Sequence, residues 1–287
     1  MSARARPVTA ALLRHWPLPD AAGATSKEHR GRVLVIGGSR EIPGAAMLAA
    51  VAALRAGAGK LQIATAQEAA VAMAVACPEA RVVGVATGAD GELRGLRADL
   101  LKDAARADAV VFGPGMRRRP ALRGAVSRLL RATGCGVVLD AGALLDVRGL
   151  PDPSRVVLTP HHGEMAALSG ADVETIGADP QAAAAAFAQR SGAVLVLKSA
   201  TTVIAAPDGR MWVHDGGSVS LGTSGSGDVL SGIVAGLVAR GADAAQAAVW
   251  GVYLHAQAGA ALARRQGPLG PLAREIAAEV PALLPDR

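Results

Sequence analysis

Aromatic residues are nearly absent: three Trp, two Phe and one Tyr in 287 residues. The core must therefore be built from Ala, Val, Leu and Ile, a composition that suits buried parallel strands covered by Ala-rich helices. The same shortage argues against a nucleic-acid partner. A formal charge of +6 and a pI near 10 favour anionic partners. Nucleic-acid readers, however, pair basic patches with stacking aromatics or a groove-entering motif, and the chain offers neither. The short cluster Arg117-Arg118-Arg119 fits either a solvated loop or a hold on substrate phosphates.

Cysteine is as scarce. Cys77 and Cys135 lie far apart with no CxxC pair, so neither a zinc site nor a disulfide framework is indicated, and a cytoplasmic setting is expected. No apolar run reaches the roughly 20 residues needed to cross a bilayer, so no membrane partner is expected. Acids are missing from the start, MSARARPVTAALLRHWP. Transit peptides share that trait, but the h-region and cleavage signal of a secretory peptide are absent and Trp16-Pro17 ends the pattern. The expectation is an amphipathic helix in a helical extension over residues 1–27.

What is present is alternation. Short β-branched runs (RVLVI from Arg32, KLQIA from Lys60, RVVGV from Arg81, AVVF from Ala109, GVVL from Gly136, RVVL from Arg155, AVLVL from Ala193) are separated mostly by helical patterns. This implies an α/β fold with a mostly parallel central sheet and helices on both faces. TTVIAAPDGRMWVH departs from the pattern, with two apolar runs around Asp208-Gly209, and predicts a late antiparallel hairpin. Ala-rich helices are expected over 45–56, 229–239 and 245–263. One domain over residues 1–287 is expected, with no internal repeat.

In open parallel sheets ligands gather beyond the carboxyl ends of the strands. There the sequence places Gly37-Gly38-Ser39, Gly113-Pro114-Gly115, Asp140, the run TPHHGE (159–164) and Lys198. GGSREIPG does not fit the dinucleotide G-x-G-x-x-G, and GAGKL lacks parts of a P-loop. GTSGSGD, in the run Gly222 to Gly232, has the glycine spacing of an anion cradle but ends in Asp228, where a P-loop has Lys. Asp228 is either a first-turn helix acid or a base that deprotonates a hydroxyl attacking phosphorus. His161 and His162 are adjacent, so their side chains are expected to point apart, and a single histidine is the candidate to bind substrate. Glu164 is either a helix N-terminal charge or a holder of Mg²⁺-bound water.

The ordered set VLVIGGS, PGA, GPGM, VLD, TPHHGE, VLK, PDG and SGSGDVLSG, from about Arg30 to the C-terminus, resembles the ADP/ATP-dependent NAD(P)H-hydrate dehydratases of the ribokinase-like superfamily. GSGD alone points only to the superfamily; TPHHGE with GPGM and the early GGS narrows it. The resemblance implies a three-layer ribokinase-like sandwich. It also implies a lyase that repairs hydrated nicotinamide cofactor, converting (S)-NAD(P)H hydrate to NAD(P)H while ADP becomes AMP and phosphate. By the same resemblance Ala45, Gly115, His161 and Asp228 contact the hydrate, with Asp228 as catalytic base. Lys198, Ser199, Ala200, Thr201, Thr202, Gly225 and Gly227 hold the adenine nucleotide, and Mg²⁺ accompanies its phosphates. A homo-oligomer, a tetramer, is implied as well; some members of the family carry a fused N-terminal epimerase, and with about 30 residues ahead of the first strand any epimerase here is expected to be separately encoded.

Some positions depart from the family pattern: Gly142 stands where a second acid is common, Ser199 where Gly follows the Lys, and GGSVSLG precedes the glycine-rich loop without the usual Asn-Pro. Two rivals use the same loop: a kinase for a small hydroxylated vitamin precursor, and a nucleotide sensor without catalysis.

Overall fold

The computed structural model of the chain describes residues 5–20 and 26–285. Its centre is a ten-stranded sheet. In chain order the strands are β1 (Arg6–Pro7), β2 (Arg32–Ile36), β3 (Lys60–Ala66), β4 (Ala80–Val85), β5 (Ala109–Phe112), β6 (Gly136–Leu139), β7 (Val156–Leu158), β8 (Val194–Leu197), β9 (Thr202–Ala205) and β10 (Met211–His214). Their spatial order is β1-β10-β9-β8-β7-β6-β5-β2-β3-β4. β2 through β8 pair in parallel; β9 runs antiparallel to β8 and β10 antiparallel to β9, the hairpin that its Asp208-Gly209 turn predicted.

Period-two alternation along the strands sorts the core onto two faces. In β2, Val33 and Val35 join one buried cluster with Ala49, Ala53, Ile233 and Leu254, contributed by helices Gly44–Arg55, Ser226–Ala239 and Ala244–Gln266. Leu34 and Ile36 join the other with Leu100, Leu129, Met165 and Phe187, contributed by helices Ala98–Ala104, Leu122–Ala132, His162–Ser169 and Pro180–Ser191. Helices thus cover both faces, as in the ribokinase-like sandwich anticipated.

The loops that carry candidate chemistry follow β2, β5, β6, β7 and β8, which are five consecutive neighbours in the sheet. The chain leaves β2 in one direction toward β3 and β4 and resumes at β5 on its other side, so the order reverses between β2 and β5. The two loops at that switch point are tied together: the Gly38 amide donates to the Pro114 carbonyl at 2.7 Å and the Ser39 amide to the Gly115 carbonyl at 3.0 Å. This is where an open α/β sheet forms its ligand crevice.

The N-terminal segment differs from the expected helical extension. Residues 1–4 and 21–25 of it lie outside the described residues. The rest holds β1, which pairs with the hairpin strand β10, and one five-residue helix, Ala10–Arg14. Trp16 stacks on Trp212 with ring centroids 5.5 Å apart, and the Trp250 indole donates to the Trp16 carbonyl at 2.8 Å. Half of the six aromatic residues therefore fasten this segment to the sheet and to helix Ala244–Gln266, which the local pattern around them did not reveal.

Candidate active site

The glycine-rich run begins where a 3-10 turn, Val219–Leu221, ends at Gly222. Gly225 then caps the helix Ser226–Ala239 with φ +88°. The left-handed conformation favours glycine, and a Cβ there would sit 2.4 Å from Leu48 Cδ1, which would have to move aside. Gly232 meets a different requirement, because a Cβ on it would lie 2.0 Å from the Ala49 carbonyl oxygen of the neighbouring helix Gly44–Arg55. Part of the glycine content thus serves helix packing rather than the anion cradle. Asp228 is the third residue of the helix, in the turn whose amides lack intrahelical partners.

Lys198 directly follows β8 and is locked to the TPHHGE turn, its amide donating to the Pro160 carbonyl at 2.8 Å beside a parallel bridge to His161. Its Nζ lies 3.4 Å from Asp140 Oδ1 and 3.9 Å from Glu164 Oε2. A Cβ on Gly227 would come within 3.1 Å of that Nζ, so this glycine leaves the ammonium its place. Asp140 is buried and also accepts the Thr159 hydroxyl at 2.8 Å. Burial on its own would depress the Lys198 ammonium; Asp140, Glu164 and Asp228 more than offset it and hold the group above the usual lysine value. Burial, reinforced by Asp140 and Glu164 and only partly countered by Lys198, pushes Asp228 up to about 7.

His161 is the N-cap of helix His162–Ser169. Its Nδ1 accepts from the amides of Gly163 and Glu164, and the Glu164 carboxylate accepts the His161 amide at 2.8 Å. The two histidines do point apart: His161 borders the cavity described below, whereas His162 Nδ1 comes within 4.0 Å of where a Cβ on Gly177 would stand. Glu164 takes the first of the roles weighed from the sequence, the helix N-terminal charge, by closing the capping box, and it also faces Lys198.

No group of three or more His, Cys, Asp or Glu among the described residues is disposed to hold a metal ion. The reason is visible at Lys198, whose ammonium stands where the carboxylates of Asp140 and Glu164 converge. These residues fit a magnesium ion carried mainly by phosphate oxygens and water, with one carboxylate nearby, which is this ion's usual preference.

A cavity of about 650 Å³ opens beside this cluster. Lys198, Ser199, Ala200 and Thr202 form one wall, Ser226 and Gly227 another, and His161 its rim. Thr201 lies in the same turn, its carbonyl accepting the Ser199 hydroxyl at 2.5 Å, but does not border the cavity, and neither does Gly225. Sequence reasoning missed His255, which borders the cavity from helix Ala244–Gln266 and places Nε2 3.0 Å from both the hydroxyl and the carbonyl of Ser226. Burial depresses this ring to about 4, so it is neutral at pH 7. It lies in a continuous Ala-rich helix with no local signal to mark it.

Ala45 and Gly115 form a separate pair: a Cβ on Gly115 would lie 2.9 Å from Ala45 Cβ and 3.4 Å from Gly38 Cα. They sit at the switch-point loops. The Gly225 turn touches Leu48 one helical turn beyond Ala45, so the turn that carries Asp228 borders the helix that carries Ala45.

A family model for NAD(P)H-hydrate dehydratase matches residues 33–282. An ADP-dependent (S)-NAD(P)H-hydrate dehydratase of Xanthomonas campestris pv. campestris is 52% identical over 284 residues, covering 98% of this chain and 96% of that protein. A bifunctional NAD(P)H-hydrate repair enzyme of Moorella thermoacetica is 39% identical over 97% of this chain, which spans 54% of that longer protein. The crystal structure of an ADP/ATP-dependent NAD(P)H-hydrate dehydratase from Bacillus subtilis, co-crystallised with ATP and Mg²⁺, superposes with a TM-score of 0.84 at 30% identity over 98% of both chains. With the family model matching most of its length around a ribokinase-like sheet, this chain belongs to the NAD(P)H-hydrate dehydratase family.

Proposed function

We propose that this chain dehydrates (S)-NAD(P)H hydrate to NAD(P)H, with ADP converted to AMP and phosphate. The observation that carries the reading is Asp228: a carboxylate pushed up to about 7 on a helix N-terminal turn, next to Gly227 and under the charge of Lys198, both of which border the large cavity. A base is most effective when its pKa lies near the working pH. Asp228 removes the proton from the ring hydroxyl of the hydrate, and the oxygen attacks the terminal phosphorus of the nucleotide. AMP departs with the electron pair of the broken P–O bond. Hydroxide is a poor leaving group and phosphate a good one. The ring nitrogen expels the phosphate, and loss of a proton from the adjacent carbon restores the dihydronicotinamide.

Lys198 and the free amides at Gly227 balance the charge on the transferring group, while Lys198, Ser199, Ala200 and Thr202 hold the nucleotide. Thr201 and Gly225 support the two turns that flank it. Ala45, Gly115 and His161 line the hydrate's approach. Magnesium bound to the phosphates, with Glu164 holding one of its waters, would neutralise phosphate charge.

The reading extends to a cytoplasmic setting and to an NAD(P)H-hydrate epimerase as pathway partner. The described helices include none long and apolar enough to cross a membrane. A homo-oligomer, a tetramer in the resembling family, is supported by helix Ala70–Ala76, whose Val71 and Val75 are 77% and 78% exposed beside the open edge strand β4.

Recovery of nicotinamide absorbance from hydrated NADH and NADPH, with ADP and ATP in parallel, tests the function. Recovery with ADP is expected. If no absorbance returns and a different alcohol is phosphorylated, the chain is a kinase instead.

A further inference from the structure

Each member of the arginine run 117–119 has a different fate. Arg117 is ion-paired with Glu41, and its amide donates to the buried Glu92 at 3.1 Å. Arg119 pairs with Asp90 at 3.1 Å and donates to the Leu93 carbonyl at 2.9 Å. Arg118 pairs with no carboxylate among the described residues; its guanidinium donates to the Ala167 carbonyl at 2.9 Å and is exposed. Its neighbours hold the loop in place. Gly142 lets that loop close in, because a Cβ there would lie 2.4 Å from the Met116 carbonyl oxygen.

This uncompensated cation borders a second cavity, about 240 Å³, whose walls include Met116, Gly142, Glu164 and Leu168. The cavity is distinct from the nucleotide cavity, which Arg118 does not border. Met116 directly follows Gly115, and Glu164 faces Lys198, so the second cavity adjoins the reacting centre on the hydrate side. Glu164 is its one acid, and that carboxylate is already engaged by the His161 amide and Lys198.

The geometry points to Arg118 as the residue that binds the pyrophosphate of the dinucleotide substrate. The inference rests on the proposed hydrate reading. With the nicotinamide end at Asp228, the pyrophosphate must leave the centre along a wall, and this wall carries the one member of the run with charge to spare. A guanidinium fork is well matched to phosphate oxygens.

Calorimetry tests this with NADPH as probe and the nucleotide cavity saturated with AMP. In R118A the affinity for NADPH is expected to fall about tenfold, as loss of a charge-assisted hydrogen bond does, with partial recovery in R118K. Reduced nicotinamide riboside, which has no phosphate, should bind wild type and R118A alike, and ADP affinity should not change. Equal NADPH affinity in wild type and R118A overturns the inference; so does a loss confined to ADP, which would assign Arg118 to the nucleotide's phosphates. Because binding is read rather than turnover, failure of the recovery assay with an intact Arg118 effect would sink the activity and not this contact.

Discussion

Oδ1 of Asp140 lies 3.4 Å from Nζ of Lys198, and the same oxygen accepts the Thr159 hydroxyl at 2.8 Å. This buried carboxylate holds the ammonium in place and, after burial, is the largest influence raising Asp228. Asp140→Asn should therefore free Lys198 and relieve Asp228 of its strongest repulsion. The acid limb of the kcat/KM profile is expected to move below that of wild type, with a raised KM for the nucleotide. An unmoved limb would show that burial alone tunes the base.

Asp228 sits at about 7 when folded, against 3.8 as a free side chain. Activity should rise with pH through about 7 as the base loses its proton. Stability should do the opposite: between 3.8 and about 7 the folded chain holds a proton that the unfolded chain has released, so this group's contribution falls as pH rises through that window. Asp228→Asn should reduce kcat by about 10² to 10⁴ fold, the usual worth of a general base, while adenine-nucleotide binding by calorimetry persists. Near-normal turnover would identify another group as the base.

His255 titrates in the other sense. Burial holds it at about 4 when folded, below its ordinary 6.5. The unfolded chain takes up a proton below 6.5 that the folded chain refuses, so stability present above 6.5 is lost as pH falls toward about 4. Thermal unfolding of His255→Asn and wild type at pH 7 and pH 5 should show a smaller acid loss in the variant. Its nucleotide affinity should also fall, because Ser226, on the cavity wall, loses its anchor.

Gly225→Ala puts a side chain where φ is +88° and where Leu48 Cδ1 lies 2.4 Å from the new carbon. The left-handed conformation alone costs about 1–2 kcal/mol for an ordinary residue. Chemical denaturation should report at least that loss, and kcat should fall because the turn carrying Asp228 must shift.

The sequence by itself determined most of the elements and the strand-end positions of the candidate residues, though not His255. Strand runs such as Val33 to Ile36, the Asp208-Gly209 hairpin and the strand-end positions of Lys198 and Asp140 are written in local alternation and turn chemistry, which act over a few residues. Motif order along the chain was enough to mark the family. Only the tertiary structure decided which strands are neighbours, because hydrogen bonding between strands distant in sequence leaves no local trace. It added to the short helix of the N-terminal segment an edge strand and a stacked Trp16, which tie that segment to the sheet. It brought Asp140 to Lys198, 58 positions away, and His255 to Ser226, 29 positions away. Those two long-range contacts position the lysine and the helix turn on which Asp228 depends, because burial and charge act through space and not along the chain.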